Sequence, residues 1–242
     1  MASFHKRLVI VSLGVFLFLI AGSAQAGVNL VTDRTALGGT DYIDWGVLGP
    51  TFTVISNPFS INSQGGVPVT VSMLSTNDFQ RRDCPTGFNA NFGNGDKLLW
   101  TNTYANFENP TTLMTFGGNG IMAGGAQILA DTIGGFVAKI EAYDEADNSL
   151  GSFTRAGVTI PANANNSAIF MGVETDDEPI FKVAFTILQA GTNISSFAIN
   201  QFDFIPPPPP PTVIPEPSTV VIWSVLGAVA VGFGWWRRRR SR

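Results

Sequence analysis

The sequence predicts an all-β protein, a single jelly-roll-like β-sandwich ectodomain carried between two apolar ends. Three observations lead there. Between Gly27 and Ile205 no long stretch repeats with helical period, whereas short runs alternate apolar and polar residues. Gly 26 and Pro 15 punctuate those runs with turns. Charged residues are 13%, about half the usual ~25%, while hydrophobic residues are 45%.

Taken in order, Tyr42–Val47 and Thr51–Ile55 are the first short candidate strands. Val67–Leu74 follows, with Val67, Val69, Val71 and Met73 on one face. Leu98–Thr101, Thr112–Phe116 and Ala126–Ala130 are shorter candidates. Phe136–Tyr143 sets Phe136, Ala138, Ile140 and Ala142 opposite Val137, Lys139, Glu141 and Tyr143. Asp144–Ser149 is then a polar turn and Leu150–Thr154 a return strand, which reads as a hairpin. Ala168–Val173, Ile180–Leu188 and Ser196–Phe204 complete the series. Such a body is long enough to bury a core without disulfides.

Charge is divided unevenly along the chain. Lys6, Arg7, Arg237–Arg240 and Arg242 take half of the 14 basic residues. Of the 18 acidic residues, all but Glu216 lie between Asp33 and Asp203, so the body carries a net charge of about −10. That charge repels a phosphate backbone, and no nucleic-acid partner is expected.

Both ends read as addresses. Met1–Arg7 is short and basic, Leu8–Ala21 is apolar, and Gly22–Ala26 is small and polar. This is the order of a secretory signal peptide over residues 1–26, with Ala24 and Ala26 marking the cleavage site. Cleavage after Ala26 removes His5, the single histidine. The mature chain then has no Ser-His-Asp or Cys-His nucleophile system and no His-ligated metal site. At the other end, Pro206–Pro211 opens a proline-rich linker over residues 206–214. After it come Pro215-Glu216-Pro217, an apolar segment over residues 218–236 read as a transmembrane helix, and the Arg-rich tail 237–242. The arginines should stay cytoplasmic, leaving the body outside.

The segment from Pro215 to Arg242 resembles the PEP-CTERM sorting signal of Gram-negative, exopolysaccharide-producing bacteria. The resemblance implies an exosortase, a membrane-embedded cysteine transpeptidase, as processing partner. Pro215, Glu216 and Pro217 would be its recognition motif, and Arg237, Arg238, Arg239 and Arg240 the stop-transfer block. It further implies a precursor anchored in the cytoplasmic membrane, then display on the cell surface or release into the exopolysaccharide matrix. Five body segments also resemble a loose group of secreted PEP-CTERM proteins: Ile43-Asp44-Trp45-Gly46, Gly95–Thr101, Gly125-Ala126-Gln127-Ile128, Ile169–Val173 and Ser196–Gln201. No activity comes with that group.

Candidate chemistry in the body is sparse, and we expect a structural or adhesive module, not an enzyme. Glu174, Asp176, Asp177 and Glu178 crowd one link between strands, and Ca²⁺ is the candidate cofactor there. Asp144, Glu145, Asp147 and Asn148 form a second acidic turn, read as a solvated hairpin. A calcium-dependent carbohydrate-binding module is the first alternative. A glycan-active hydrolase using two carboxylates is the second. Trp45, Trp100, Tyr42, Tyr104 and Tyr143 are either core residues or sugar-stacking rings. The glycines at 117, 118, 120, 124 and 125 read as turn glycines, without the Lys-Ser/Thr of a phosphate loop. Arg81 and Arg82 near Cys84 would lower its thiol pKa, although an incidental free thiol is the plainer reading.

Overall fold

The computed structural model describes residues 27–102, 110–190, 196–209 and 217–240. The signal-peptide residues, Tyr104, Pro215 and Glu216 lie outside these. The body, which ends at Pro207, and the segment from Pro208 to Arg242 form two compact units.

In chain order the body contains β1 (Asn29–Val31), α1 (Arg34–Leu37), β2 (Asp41–Ile43), a 3-10 turn (Trp45–Leu48), β3 (Val54–Ile55), β4 (Phe59–Asn62), β5 (Pro68–Met73) and β6 (Phe79–Asp83). Then come β7 (Lys97–Trp100), β8 (Thr112–Phe116), β9 (Ala123–Ala130), β10 (Gly134–Tyr143) and β11 (Ser149–Thr159). Last are β12 (Ile169–Glu174), β13 (Lys182–Ala190), β14 (Phe197–Ile199) and β15 (Phe202–Ile205). They form two antiparallel sheets. One runs β1-β12-β9-β14-β7-β6-β3, with β15 beside β9 and β2 beside β15. The other runs β11-β10-β13-β8-β5-β4. The body is therefore an all-β sandwich.

Aromatic rings close the gap between the sheets. Phe202 and Phe204, one strand period apart on β15, meet Phe116 of β8 at 5.6 Å each. Phe202 also meets Phe185 of β13 edge-on at 6.2 Å. All four rings are buried. Burying such a side chain stabilises by roughly 1.5–3 kcal/mol. Gly124 explains how Phe202 fits: a Cβ there would lie 2.6 Å from the ring. Gly124 and Gly125 thus serve packing inside β9, and only Gly118 (φ +67°) and Gly120 (φ +71°) adopt the left-handed turn conformation expected of this group. Every residue of β9 is buried, and α1 contributes at its Ala123 end, where Leu37 packs with Val31, Ala123 and Phe170 in a small second core.

Two departures from the sequence reading matter for the site. Tyr42–Val47 is not one strand. Asp44 accepts a bond from Gly46 N at 2.7 Å and turns the chain into the 3-10 segment. Ser196–Phe204 is also not one strand. Ile199 pairs with Ile128 and Asp203 with Gly125, so three residues (Asn200, Gln201, Phe202) stand opposite two (Ala126, Gln127). That extra residue is a β-bulge, and it turns Asn200 toward Gln127.

The second unit contains α2 (Pro217–Arg240). The helix runs past the expected end at Trp236 and takes in all four arginines. Among the described residues, no helix is long and apolar enough to cross a membrane.

Candidate functional site

A polar cleft of about 570 Å³ opens beside the bulge. Its volume lies within the ~300–1,000 Å³ usual for ligand pockets. Asn200 is the hub of its floor. The Asn200 amide oxygen accepts from Gln127 N at 3.0 Å and from Arg34 Nη2 at 2.7 Å. Its amide nitrogen donates to Gln127 Oε1 at 2.6 Å and to Asp96 Oδ2 at 3.1 Å. All four bonding positions of the side chain are filled. The main chain adds a bond from Trp45 Nε1 to Asn200 O at 2.8 Å. Gln127 passes the network on, donating to Asn166 Oδ1 at 3.0 Å and Ala168 O at 3.1 Å.

Two arginines border this floor. Arg34, the first residue of α1, pairs with Asp203 and lies 5.4 Å from the centre of the Phe170 ring. Arg155 faces inward on the edge strand β11, in register with buried Ala138. Its Nη1 donates to Phe170 O at 2.7 Å and Thr32 O at 3.1 Å, so it straps one sheet to the other. Asp33 caps α1, accepting from Thr35 N at 2.8 Å and Ala36 N at 3.1 Å through one oxygen.

The five body segments singled out in the sequence converge here. They supply Trp45, Asp96, Gln127, Phe170 and Asn200, yet none of these was recognisable as a site residue except Trp45 as a possible stacking ring. The available signal was Gln127, a lone amide inside the otherwise apolar Ala123–Ala130.

The candidate residues named from sequence lie elsewhere. Glu174 ends β12, and Asp176, Asp177 and Glu178 are exposed. Among the described residues, no three His, Cys, Asp or Glu side chains stand together as metal ligands. Asp144 closes its hairpin by accepting from Asn148 N and Nδ2, each at 2.8 Å. The Asn148 amide holds its carboxyl below the ordinary value. Asp147 pairs with Lys182. Trp45 and Trp100 are buried, and Trp100 donates to Asp131 Oδ2 at 3.1 Å, so neither offers a face to a sugar. Burial, helped by Glu141, pushes the Tyr143 hydroxyl up to about 12.

Cys84 is not the activated thiol that its neighbouring arginines suggest. It is 2% exposed, and its thiol is directed at Ala90 O and Phe92 O, at 3.7 and 3.6 Å. Burial pushes its pKa up and the Asp96 carboxylate adds to this. The arginines do not lower it: Arg81 pairs with Asp83 at 2.7 Å, and Arg82 stacks on Phe52 and Trp100. We expect a disulfide reagent to leave Cys84 unmodified in the native protein at pH 8 and to modify it fully in denaturant. Cys84→Ala should keep the fold and cost about 1–2 kcal/mol by urea unfolding. Rapid native labelling would contradict this burial.

No family model and no curated protein matches the chain. A solved structure of a DUF4465 family protein from Bacteroides caccae is similar over 73% of this chain and 99% of its own, at 11% identity. The TM-score is 0.29, too loose a superposition to carry an argument.

Proposed function

We propose that this chain is an exported exosortase substrate and not an enzyme. Its β-sandwich serves as a structural or adhesive module on the cell envelope or in the exopolysaccharide matrix. The observation that carries the reading is the boundary at Pro207/Pro208. Among the described residues, every buried hydrophobic side chain lies between Val28 and Phe204, so in this reading processing in the tail leaves that core whole. The PEP-CTERM resemblance supplies the direction of traffic. In this reading the apolar segment and the arginine block of the tail hold the precursor in the cytoplasmic membrane, with the body outside, until the exosortase acts. The strand orders β7-β14-β9-β12 and β8-β13-β10-β11 support reading the body as a jelly roll, since from β7 to β14 the chain crosses between the sheets at every step except the β10–β11 hairpin.

A hydrolytic reading finds less support. Asp33 and Asp96, the carboxylates lining the cleft, each hold a backbone turn through one oxygen. The test is separability. Residues 27–207 alone should melt within about 2 °C of the chain that retains its tail in detergent. A fall of more than about 10 °C would show that the tail belongs to the fold.

A further inference from the structure

We propose that the cleft beside the β14–β15 bulge is a glycan subsite that takes a neutral pyranose through two adjacent hydroxyl groups. The proposal rests on the adhesive reading above and deepens it by naming the ligand class.

The floor is fixed before any ligand arrives. Asn200 has no unfilled bonding position, so it cannot be the contact itself; it orients Arg34, Asp96 and Gln127. Groups held this way lose little freedom on binding. Around that floor, bonding capacity is left over. Asp33 uses Oδ1 for the α1 cap, and among the described residues Oδ2 has no partner. Asp96 uses Oδ2 for Gly93 N and Asn200 Nδ2, which leaves Oδ1. Arg155 uses Nη1 for two carbonyls, which leaves donors on its other nitrogens. Acceptors and donors are thus mixed within one cleft. A sugar hydroxyl both donates and accepts, and a diol can give a proton to a carboxylate while accepting from a guanidinium.

Charge selects among sugars. Asp33 and Asp96 offset Arg34 and Arg155, while Arg34 is already paired with Asp203. With a body charge of about −10, no net positive field remains to attract an acidic residue. The cleft also lacks an open aromatic face, because Phe170 is 5% exposed. A single site without stacking binds weakly, and many copies on a surface would gain through avidity.

The test uses residues 27–207, which contain the whole core. Amide NMR spectra are recorded during titration with neutral gluco-, galacto- and mannotetraose, and with tetragalacturonate. At least one neutral saccharide should shift the amides of Thr35, Ser167 and Gln201, and tetragalacturonate should not. Asp33→Asn and Asp96→Asn each replace the unused oxygen with an NH₂ and retain an oxygen for the existing turn. Each should weaken binding about tenfold without changing the melting temperature. If Asp96→Asn does not fold, Asp33→Asn decides alone, since Asn caps a helix as well as Asp. Preference for tetragalacturonate, no shift at the cleft with any saccharide, or unchanged binding by the variants would overturn the subsite. Saccharide shifts confined to another face would overturn it too, while leaving the adhesive reading intact.

Discussion

Asn200→Ala is expected to cost the body about 4 kcal/mol, a large share of the ~5–15 kcal/mol that holds a domain folded. The change removes four side-chain hydrogen bonds at once. It strands the Gln127 N–H and Oε1 in a buried strand, each of which costs about 1–3 kcal/mol without a partner. It also takes a neutral bonding partner from Arg34 and Asp96. The main-chain bonds from Trp45 Nε1 to Asn200 O and from Asn200 N to Gln127 O remain, so the bulge should loosen against β9 without a change of register. Urea unfolding measures the loss, with the midpoint moving and the slope retained. Asn200→Asp should also destabilise, because it sets a second carboxylate against Asp96. A loss below about 1 kcal/mol for alanine would mean that the network is surface decoration.

The second large effect concerns sorting. Replacing Pro215, Glu216 and Pro217 together by alanine should abolish processing and leave precursor in the cytoplasmic membrane. The body should be unaffected, since it ends at Pro207. Replacing Arg237–Arg240 by alanine should act differently. The stop-transfer block would be lost and chains that keep their tail should escape the membrane. Fractionation followed by detection of the body separates the two outcomes. Normal display and normal mature mass in the first variant would remove the exosortase from the account.

The two layers of β-structure were legible in the sequence because alternation is a local signal. Phe136–Tyr143 shows its inward and outward faces in the residues themselves, and β10 covers the same segment. The bulge was not legible. Phe197, Ala198, Ile199, Phe202 and Phe204 read as one apolar run, and only pairing against β9 exposes the extra residue. β1 and α1 were missed for a related reason: three or four residues are too few to display a period. The capping Asp33 and left-handed Gly38 were the available signs. The acidic clusters drew attention because charge is rare in this chain, but the network at the cleft is built from amides. Asn200, Gln127 and Asn166 carry no charge and belong to no catalytic or metal-binding motif, and they lie far apart in the chain. Their significance appears only when the bulge brings Asn200 to Gln127 at 2.6 Å and Gln127 in turn reaches Asn166 at 3.0 Å.

The proposed route delivers a self-contained sandwich outside the cell and frees it of its sorting tail. The intact mass of the protein recovered from the surface and matrix fractions tests it most directly. The expected chain begins at Gly27 and lacks Arg237–Arg242, with its new end beyond Pro207. Recovery of the body only inside the cell, or of a surface form that still carries the arginine block, would contradict it.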